Sequence, residues 1–208
     1  MVRGPIVRAA PCRFELSGSA GTGSLGTLRG LGAVFGQWAR IDSAFEGRFM
    51  ERIAPGAFLR SIRDHCDEIK VLFQHGRDPQ AGDKPLGPLS ELREASDGLV
   101  YEVPLLDTSY NRDLEPGLAA GLYGSSFRFS VEREDFDPKP KRSTHNPDGL
   151  PERTVTDLRL YELGPVTFPA YSGATAGIRS ITGYYSIPEE PVDELQGLLD
   201  GLDAFLAA

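Results

Sequence analysis

The chain has 208 residues, a hydrophobic content of 40% and a charged content of 25%, as expected of a globular protein with one substantial core. The formal net charge of -8 argues against a broad nucleic-acid-binding surface, because such surfaces need clustered Lys and Arg. No apolar run reaches membrane-spanning length, and Cys12 and Cys66 are too few for a disulfide framework. The sequence therefore predicts neither nucleic acid nor a membrane as a partner, and a reducing cytoplasm as the compartment.

The first 26 residues are predicted to form a flexible segment that precedes the folded domain. Residues 17–24 are mostly Gly and Ser, which offer little side chain to pack. The first core strand is predicted over residues 27–35, where apolar residues surround two glycines at which a neighbouring backbone could approach closely. We therefore place the start of the folded domain at residue 27.

A turn, a helix and a strand are predicted next, and the strand stops at a histidine. Pro55-Gly56 signals a turn, the helix is predicted over residues 58–66, and the strand over residues 68–74. His75 follows where this strand opens into a polar loop rich in Gly and Pro, a common position for a functional residue. The alternative is a structural histidine that only caps the strand.

Two further strands are predicted over residues 86–94 and 98–106. The Asp97-Gly98 pair between them is a hairpin signal. Residues 107–120 are predicted to be partly helical and to lead into another strand. After that strand, the charged and Pro-containing residues 132–151 are predicted to form a long mobile loop. The chain is therefore predicted to consist mainly of strands joined by turns and loops.

The strand predicted over residues 124–131 carries a candidate nucleophile. Phe127, Phe129 and Val131 alternate with small or charged residues, which is the period of a strand with one buried face. This alternation turns the aromatic side chains inward and places Ser126 beside Arg128 on the other face, where a hydroxyl could meet a substrate. A solvated strand face without any function is the alternative interpretation.

The last core strand is predicted over residues 153–164, and it contains Asp157 and Glu162. Residues 183–208 are predicted to form a Pro-containing linker and an amphipathic helix, because apolar residues recur there at helical spacing. The predicted organisation is therefore a flexible N-terminal segment over residues 1–26, one folded domain over residues 27–182, and this C-terminal extension.

Five segments, taken in order, carry a resemblance to a known family. They are the Ala-Pro-Gly-Ala-Phe turn at 54–58, the strand ending in His75, Leu86-Gly87, the Gly-Ser-Ser-Phe-Arg-Phe segment at 124–129, and the Tyr-Glu-Leu-Gly-Pro segment that begins at Tyr161. In that order they resemble the prohead maturation serine proteases of tailed bacteriophages. The resemblance implies a mostly β fold with peripheral helices, built on a closed antiparallel β-barrel of the herpesvirus-protease type.

The resemblance also implies the roles of individual residues. Ser126 would be the nucleophile, His75 its general base and Glu162 the third member, with Asp157 as the fallback for that third role. A serine hydroxyl is a weak nucleophile at neutral pH and needs an adjacent imidazole to take its proton, while a carboxylate fixes the imidazole tautomer. We expect the barrel to bring Ser126 and His75 together in a cleft open to peptide. The family implies no cofactor and no metal.

Two other sites are conceivable from the sequence. Ser125 is the rival nucleophile, because a bulge in its strand would reverse which side chains face outward. Cys66 with His65 and His75 could form a Cys-His pair or a metal site, although two histidines and one cysteine make an incomplete zinc set.

The resemblance implies a serine endopeptidase that cleaves scaffold, or the scaffold-like N-terminal region of the major capsid protein, and itself, during maturation of the phage procapsid. The enzyme would act in the host cytoplasm, inside the immature capsid. A homodimer is expected only by analogy with the herpesvirus proteases. The alternative function is a catalytically inactive barrel that serves as a scaffold or capsid-binding structural module.

Overall fold

A computed structural model describes residues 6–10, 14–17, 23–43 and 46–168 of the chain. The strands are β1 Ile6–Ala10, β2 Phe14–Ser17, β3 Ser24–Val34, β4 Ala39–Ser43, β5 Gly47–Ile53, β6 Lys70–Val71, β7 Glu91–Glu94, β8 Gly98–Leu106, β9 Gly124–Asp137 and β10 Glu152–Val166. The helices are α1 Leu59–His65 and α2 Ser109–Ala119, and short 3₁₀ turns cover Cys66–Glu68 and Phe73–Gly76. None of the helices within these ranges has the length and apolar character needed to cross a membrane.

The strands form two sheets. The larger sheet has the order β1-β9-β10-β5-β4, with β6 also paired to β10, and the smaller sheet has the order β2-β3-β8-β7. Most neighbours are antiparallel, but β10 runs parallel to β5 and to β6. β9 pairs with one edge of β10, while β5 and β6 pair with the other edge. The larger sheet continues from β9 to β1 on one side and from β5 to β4 on the other, so β1 and β4 are its end strands.

The predicted closed antiparallel β-barrel is wrong. Among the described residues, the two end strands of the larger sheet do not pair with each other, and neither do β2 and β7 at the ends of the smaller sheet. The described chain is nevertheless mostly β with two helices. The described chain therefore forms two open sheets around a shared core, where one closed sheet was predicted.

The core contains side chains from both sheets. Phe127 and Phe129 of β9 are 1% and 0% exposed, which confirms the predicted inward face of this strand. The ring of Phe127 packs against Phe129 at a centroid distance of 5.1 Å and against Phe58, just before α1, at 5.6 Å. Alternate residues of β8, among them Tyr101 and Val103, are buried in the same core. The opposite face of β9 is thereby left for other contacts.

Several local predictions hold and others differ. The Asp97-Gly98 hairpin is confirmed, since β7 pairs antiparallel with β8. β9 continues to Asp137 where a mobile loop was predicted, because its last residues pair with the start of β10. The strand predicted over residues 68–74 shrinks to the two residues of β6, and the chain then enters a 3₁₀ turn.

The predicted domain limits stay a prediction. Two strands, β1 and β2, lie within the first 26 residues, where a flexible segment was predicted. β1 pairs with β9, and β2 pairs with β3. The predicted C-terminal helix lies outside the described residues.

A buried ion cluster joins β1, β5 and β10. The carboxylate of Glu51 is fully buried and accepts hydrogen bonds from Arg8 and from Arg153, whose Nε lies 2.7 Å from Oε2. Glu46 contacts both guanidinium groups, at 3.2 Å from Arg8 and 3.0 Å from Arg153. Burial by itself raises the pKa of Glu51, but the charges and hydrogen bonds of the two arginines prevail and hold that pKa below its ordinary value of 4.5.

The lowered pKa of Glu51 predicts a loss of stability in acid. The contribution of this carboxylate is fully present above its ordinary pKa of 4.5 and is lost as the pH falls through the lower folded-state value. In urea unfolding at a series of pH values, we expect Glu51→Gln to be about 3–5 kcal/mol less stable at pH 7 and to lose less of its remaining stability in acid. Glu132→Gln, on the exposed part of β9, serves as the control. Equal acid slopes for the parent and Glu51→Gln would contradict this account.

Candidate active site

Two neighbouring strands of the larger sheet and the turn after β6 carry the three predicted catalytic residues. Ser126 lies on β9, Glu162 on β10, and His75 in the 3₁₀ turn that follows β6. Their exposed fractions are 2%, 1% and 6%, respectively. His75 has a φ of 58°, in the left-handed region that residues other than glycine rarely adopt. A residue stays in such a strained conformation only when the surrounding structure holds it there, and strained residues of this kind are concentrated at functional sites.

The imidazole of His75 and the carboxylate of Glu162 are in direct contact. Nδ1 of His75 lies 2.6 Å from Oε1 of Glu162, and both groups are buried. An ionised carboxylate only accepts hydrogen bonds, so Nδ1 donates and Nε2 becomes the nitrogen that can take a proton. The second oxygen, Oε2, is buried and receives no hydrogen bond within the described part of the chain. This contact fixes the orientation of the imidazole and the nitrogen that carries its proton.

The register of β9 and β10 relates Ser126 to this pair. Glu162 lies opposite Arg128, whose Nε is 3.5 Å from Oε1, and Gly164 lies opposite Ser126. Directly paired residues share one face of a sheet, so Ser126 and Glu162 are diagonal neighbours on the same face. The Cα atoms of diagonal neighbours lie about 7–8 Å apart, so Ser126 and Glu162 are close together on this face of the sheet.

Gly164 allows the segment before His75 to approach β10. The backbone N–H of Leu72 donates to the carbonyl of Leu163 at 3.0 Å. A Cβ on Gly164 would lie only 2.1 Å from the carbonyl oxygen of Leu72, a backbone atom that cannot rotate away. A glycine at this position is therefore needed for the close approach that delivers His75 to Glu162.

Among the described residues, the expected cleft open to peptide is not formed at Ser126. The hydroxyl of Ser126 donates a hydrogen bond to the backbone carbonyl oxygen of Arg8 at 2.7 Å, and the side chain is almost fully buried. The physical reason is that β1 pairs along the edge of β9 and lies against Ser126. The sequence reasoning missed Arg8 because residues 1–26 were predicted to be flexible. The adjacent β-branched pair Ile6-Val7 is the sequence signal that favours a strand there.

The alternative residues occupy other surroundings. Ser125 is fully buried, with its Oγ 3.5 Å from the carbonyl oxygen of Gly164. Asp157, the fallback for the third role, forms ion pairs with Arg60 at 3.2 Å and Arg133 at 3.3 Å. The carboxylate that binds Nδ1 of His75 is that of Glu162.

The conceivable metal site does not form among the described residues. His65 pairs with Glu68 at 3.3 Å, while His75 binds Glu162. Cys66 is a partly buried free thiol. Within the ranges that the structure describes, no three side chains of the metal-binding types come together.

Comparisons with known proteins give a family match over most of the chain. The sequence model described as caudovirus prohead serine protease matches residues 14–185. Among solved structures, the chain is similar to the capsid assembly protease of bacteriophage T4, with 12% sequence identity and a TM-score of 0.49, over 79% of this chain and 98% of that one. No curated protein matches the chain. The family match includes all five segments that carry the resemblance.

Proposed function

Because this chain belongs to the caudovirus prohead serine protease family, and is thus a serine protease of capsid maturation, we propose that Ser126, His75 and Glu162 are its catalytic triad. The observation that carries this proposal is the buried contact of 2.6 Å between Nδ1 of His75 and Oε1 of Glu162. It supports an imidazole with a fixed orientation and tautomer, which a general base requires. The strand register supports the placement of Ser126 on the same face.

In the proposed mechanism, Oγ of Ser126 attacks the carbonyl carbon of the scissile peptide, and its proton passes to Nε2 of His75. Glu162 stabilises the imidazolium through the hydrogen bond to Nδ1. The imidazolium then gives the proton to the leaving amine as the C–N bond breaks, which leaves an acyl-enzyme. Water, deprotonated by His75, hydrolyses the acyl-enzyme and restores the serine hydroxyl.

We propose that the substrates are the scaffold, or the scaffold-like N-terminal region of the major capsid protein, and the protease itself. The family acts in the prohead, so capsid-related proteins are the partners. The proposed place of action is the inside of the immature capsid in the host cytoplasm. A homodimer stays a prediction by analogy.

Coexpression with the scaffold and major capsid protein of the same phage tests this function. The parent chain is expected to shorten one of these proteins, and Ser126→Ala is expected to leave both at full mass, because it lacks the nucleophile. Intact-mass spectrometry of the purified particles measures the difference. Identical masses with the parent and the variant would contradict the proposed substrates.

A further inference from the structure

The N-terminal strand β1 lies where an extended peptide would add to the larger sheet. β1 is the end strand of that sheet, and it pairs antiparallel with the β9 residues 125–129, with Ala9 opposite Ser126. Addition of a strand to an exposed sheet edge is a common way to bind an extended peptide, since the backbone hydrogen bonds do not depend on sequence. Without β1, the edge of β9 beside Ser126 would be such an edge.

One peptide group of β1 lies at the candidate nucleophile. The carbonyl oxygen of Arg8 is 2.7 Å from Oγ of Ser126. A peptide that is about to be cleaved must hold its carbonyl group beside the nucleophile, which attacks the carbonyl carbon. The hydrogen bond places the carbonyl group of Arg8 in that neighbourhood, and the hydroxyl must turn from the carbonyl oxygen toward His75 before its oxygen attacks the carbon. The bond between Arg8 and Ala9 is therefore the one that β1 presents to Ser126.

The side chain of the same residue enters an acidic pocket. The guanidinium of Arg8 binds both oxygens of Glu51, through Nε to Oε1 and through Nη2 to Oε2 at 3.3 Å. Nη2 also lies 3.2 Å from each oxygen of Glu46. Only 6% of the Arg8 side chain is exposed. The paired contacts to the buried carboxylate of Glu51 match the planar guanidinium better than a lysine ammonium.

The charge of this pocket favours a cation at the position of Arg8. Its described ionic groups are three carboxylates, those of Glu46, Glu51 and Glu134, and two guanidinium groups, those of Arg8 and Arg153. If Arg8 leaves, the buried carboxylate of Glu51 loses one of its two arginine partners. Loss of a charged partner from a buried carboxylate is costly, so this position favours an incoming arginine.

We propose that the edge of β9 is the substrate-binding edge of this protease, and that Glu46 and Glu51 select an arginine immediately before the cleaved bond. This inference rests on the proposed function, because it takes Ser126 as the nucleophile. The protease is then expected to cleave its own strand β1 before it cleaves other proteins. Attack by Oγ of Ser126 on the carbonyl carbon of Arg8 breaks the bond to the nitrogen of Ala9, which receives the proton from His75. Water releases residues 1–8 from the acyl-enzyme.

The full chain provides the test, with intact-mass spectrometry and N-terminal sequencing after incubation. The parent is expected to lose residues 1–8 and to begin at Ala9, while Ser126→Ala keeps them. Arg8→Gln is expected to slow this cleavage about 10-fold or more, and Arg8→Lys by less, because a hydrogen bond to a charged group carries much of the recognition. Glu46→Gln, at the partly exposed wall of the pocket, is expected to slow it similarly. Glu91→Gln on β7 is the matched control and is expected to cleave at the parent rate.

Hydrolysis of denatured casein separates this inference from the proposed function. A parent chain that cleaves casein but retains residues 1–8, or cuts itself after a residue that is not basic, overturns the inference and leaves the protease function intact. The same holds if Glu46→Gln and Glu91→Gln trim at equal rates. A folded parent that cleaves neither casein nor itself overturns the proposed function, and the inference with it. Urea unfolding verifies that each variant is folded.

Discussion

Replacement of Ser126 by alanine is expected to abolish peptide hydrolysis, with kcat lower by at least about 10⁴-fold. In the proposed mechanism, the hydroxyl of Ser126 supplies the attacking oxygen that forms the acyl-enzyme. Removal of one buried hydroxyl leaves the sheet pairing of β9 intact, so the variant should remain folded. Steady-state kinetics on a fluorogenic peptide, with urea unfolding in parallel, measures both quantities.

Ser125→Ala is the matched control for this experiment. Ser125 is the adjacent residue of the same strand and is equally buried, so its replacement tests for a general effect of mutation at this position. We expect its kcat to stay within about 10-fold of the parent value, as befits a residue that packs beside the site without reacting. Loss of hydrolysis in Ser125→Ala, with retention in Ser126→Ala, would transfer the role of nucleophile to Ser125.

Replacement of Glu162 by glutamine is expected to lower kcat by about 10⁴-fold while KM changes little. Glutamine keeps the shape of the side chain, but its amide has no negative charge to stabilise the imidazolium. The amide can also hold His75 in the wrong tautomer by donating to Nδ1, which would leave the proton on Nε2. Kinetics on the same peptide, with separate determination of kcat and KM, distinguishes this loss from weaker substrate binding.

Asp157→Asn is the control that separates the two candidate carboxylates for the third role, Glu162 and Asp157. Asp157 forms ion pairs with Arg60 and Arg133, so its replacement should affect stability more than catalysis. We expect kcat to remain within about 10-fold of the parent value. A large loss of kcat in Asp157→Asn together with an active Glu162→Gln would reverse the assignment of the third role.

The sequence was informative where local patterns dominate. The alternation along residues 124–131 predicts a strand with Phe127 and Phe129 inward, and the structure buries both. Asp97-Gly98 predicts a hairpin because few residue pairs suit such a tight turn, and β7 and β8 form it. The ordered segments gave the resemblance to prohead proteases, which the family match over residues 14–185 confirms. No spacing in the sequence predicts the contact of His75 with Glu162, because 87 positions separate the two residues.

Features that depend on distant pairing could not be predicted. Whether a sheet closes is decided by its end strands, and β10 accepts parallel partners at β5 and β6 that no local pattern indicates. β1 was missed because its five residues are stabilised mainly by pairing with β9 and by burial of Arg8 in the ion cluster. The left-handed backbone conformation of His75 could not be predicted either, because the surrounding fold imposes it.

In the proposed mechanism, the hydroxyl at position 126 is the activated nucleophile of this protease. The most direct measurement is labelling of the full chain with a fluorophosphonate, which reacts covalently with activated serines, followed by tandem mass spectrometry of the digested protein. We expect the phosphonyl group on Ser126, and we expect Glu162→Gln to slow its attachment strongly. A phosphonyl group on Ser125 or another serine, or an unlabelled Ser126 in a chain that hydrolyses peptides, would contradict this mechanism.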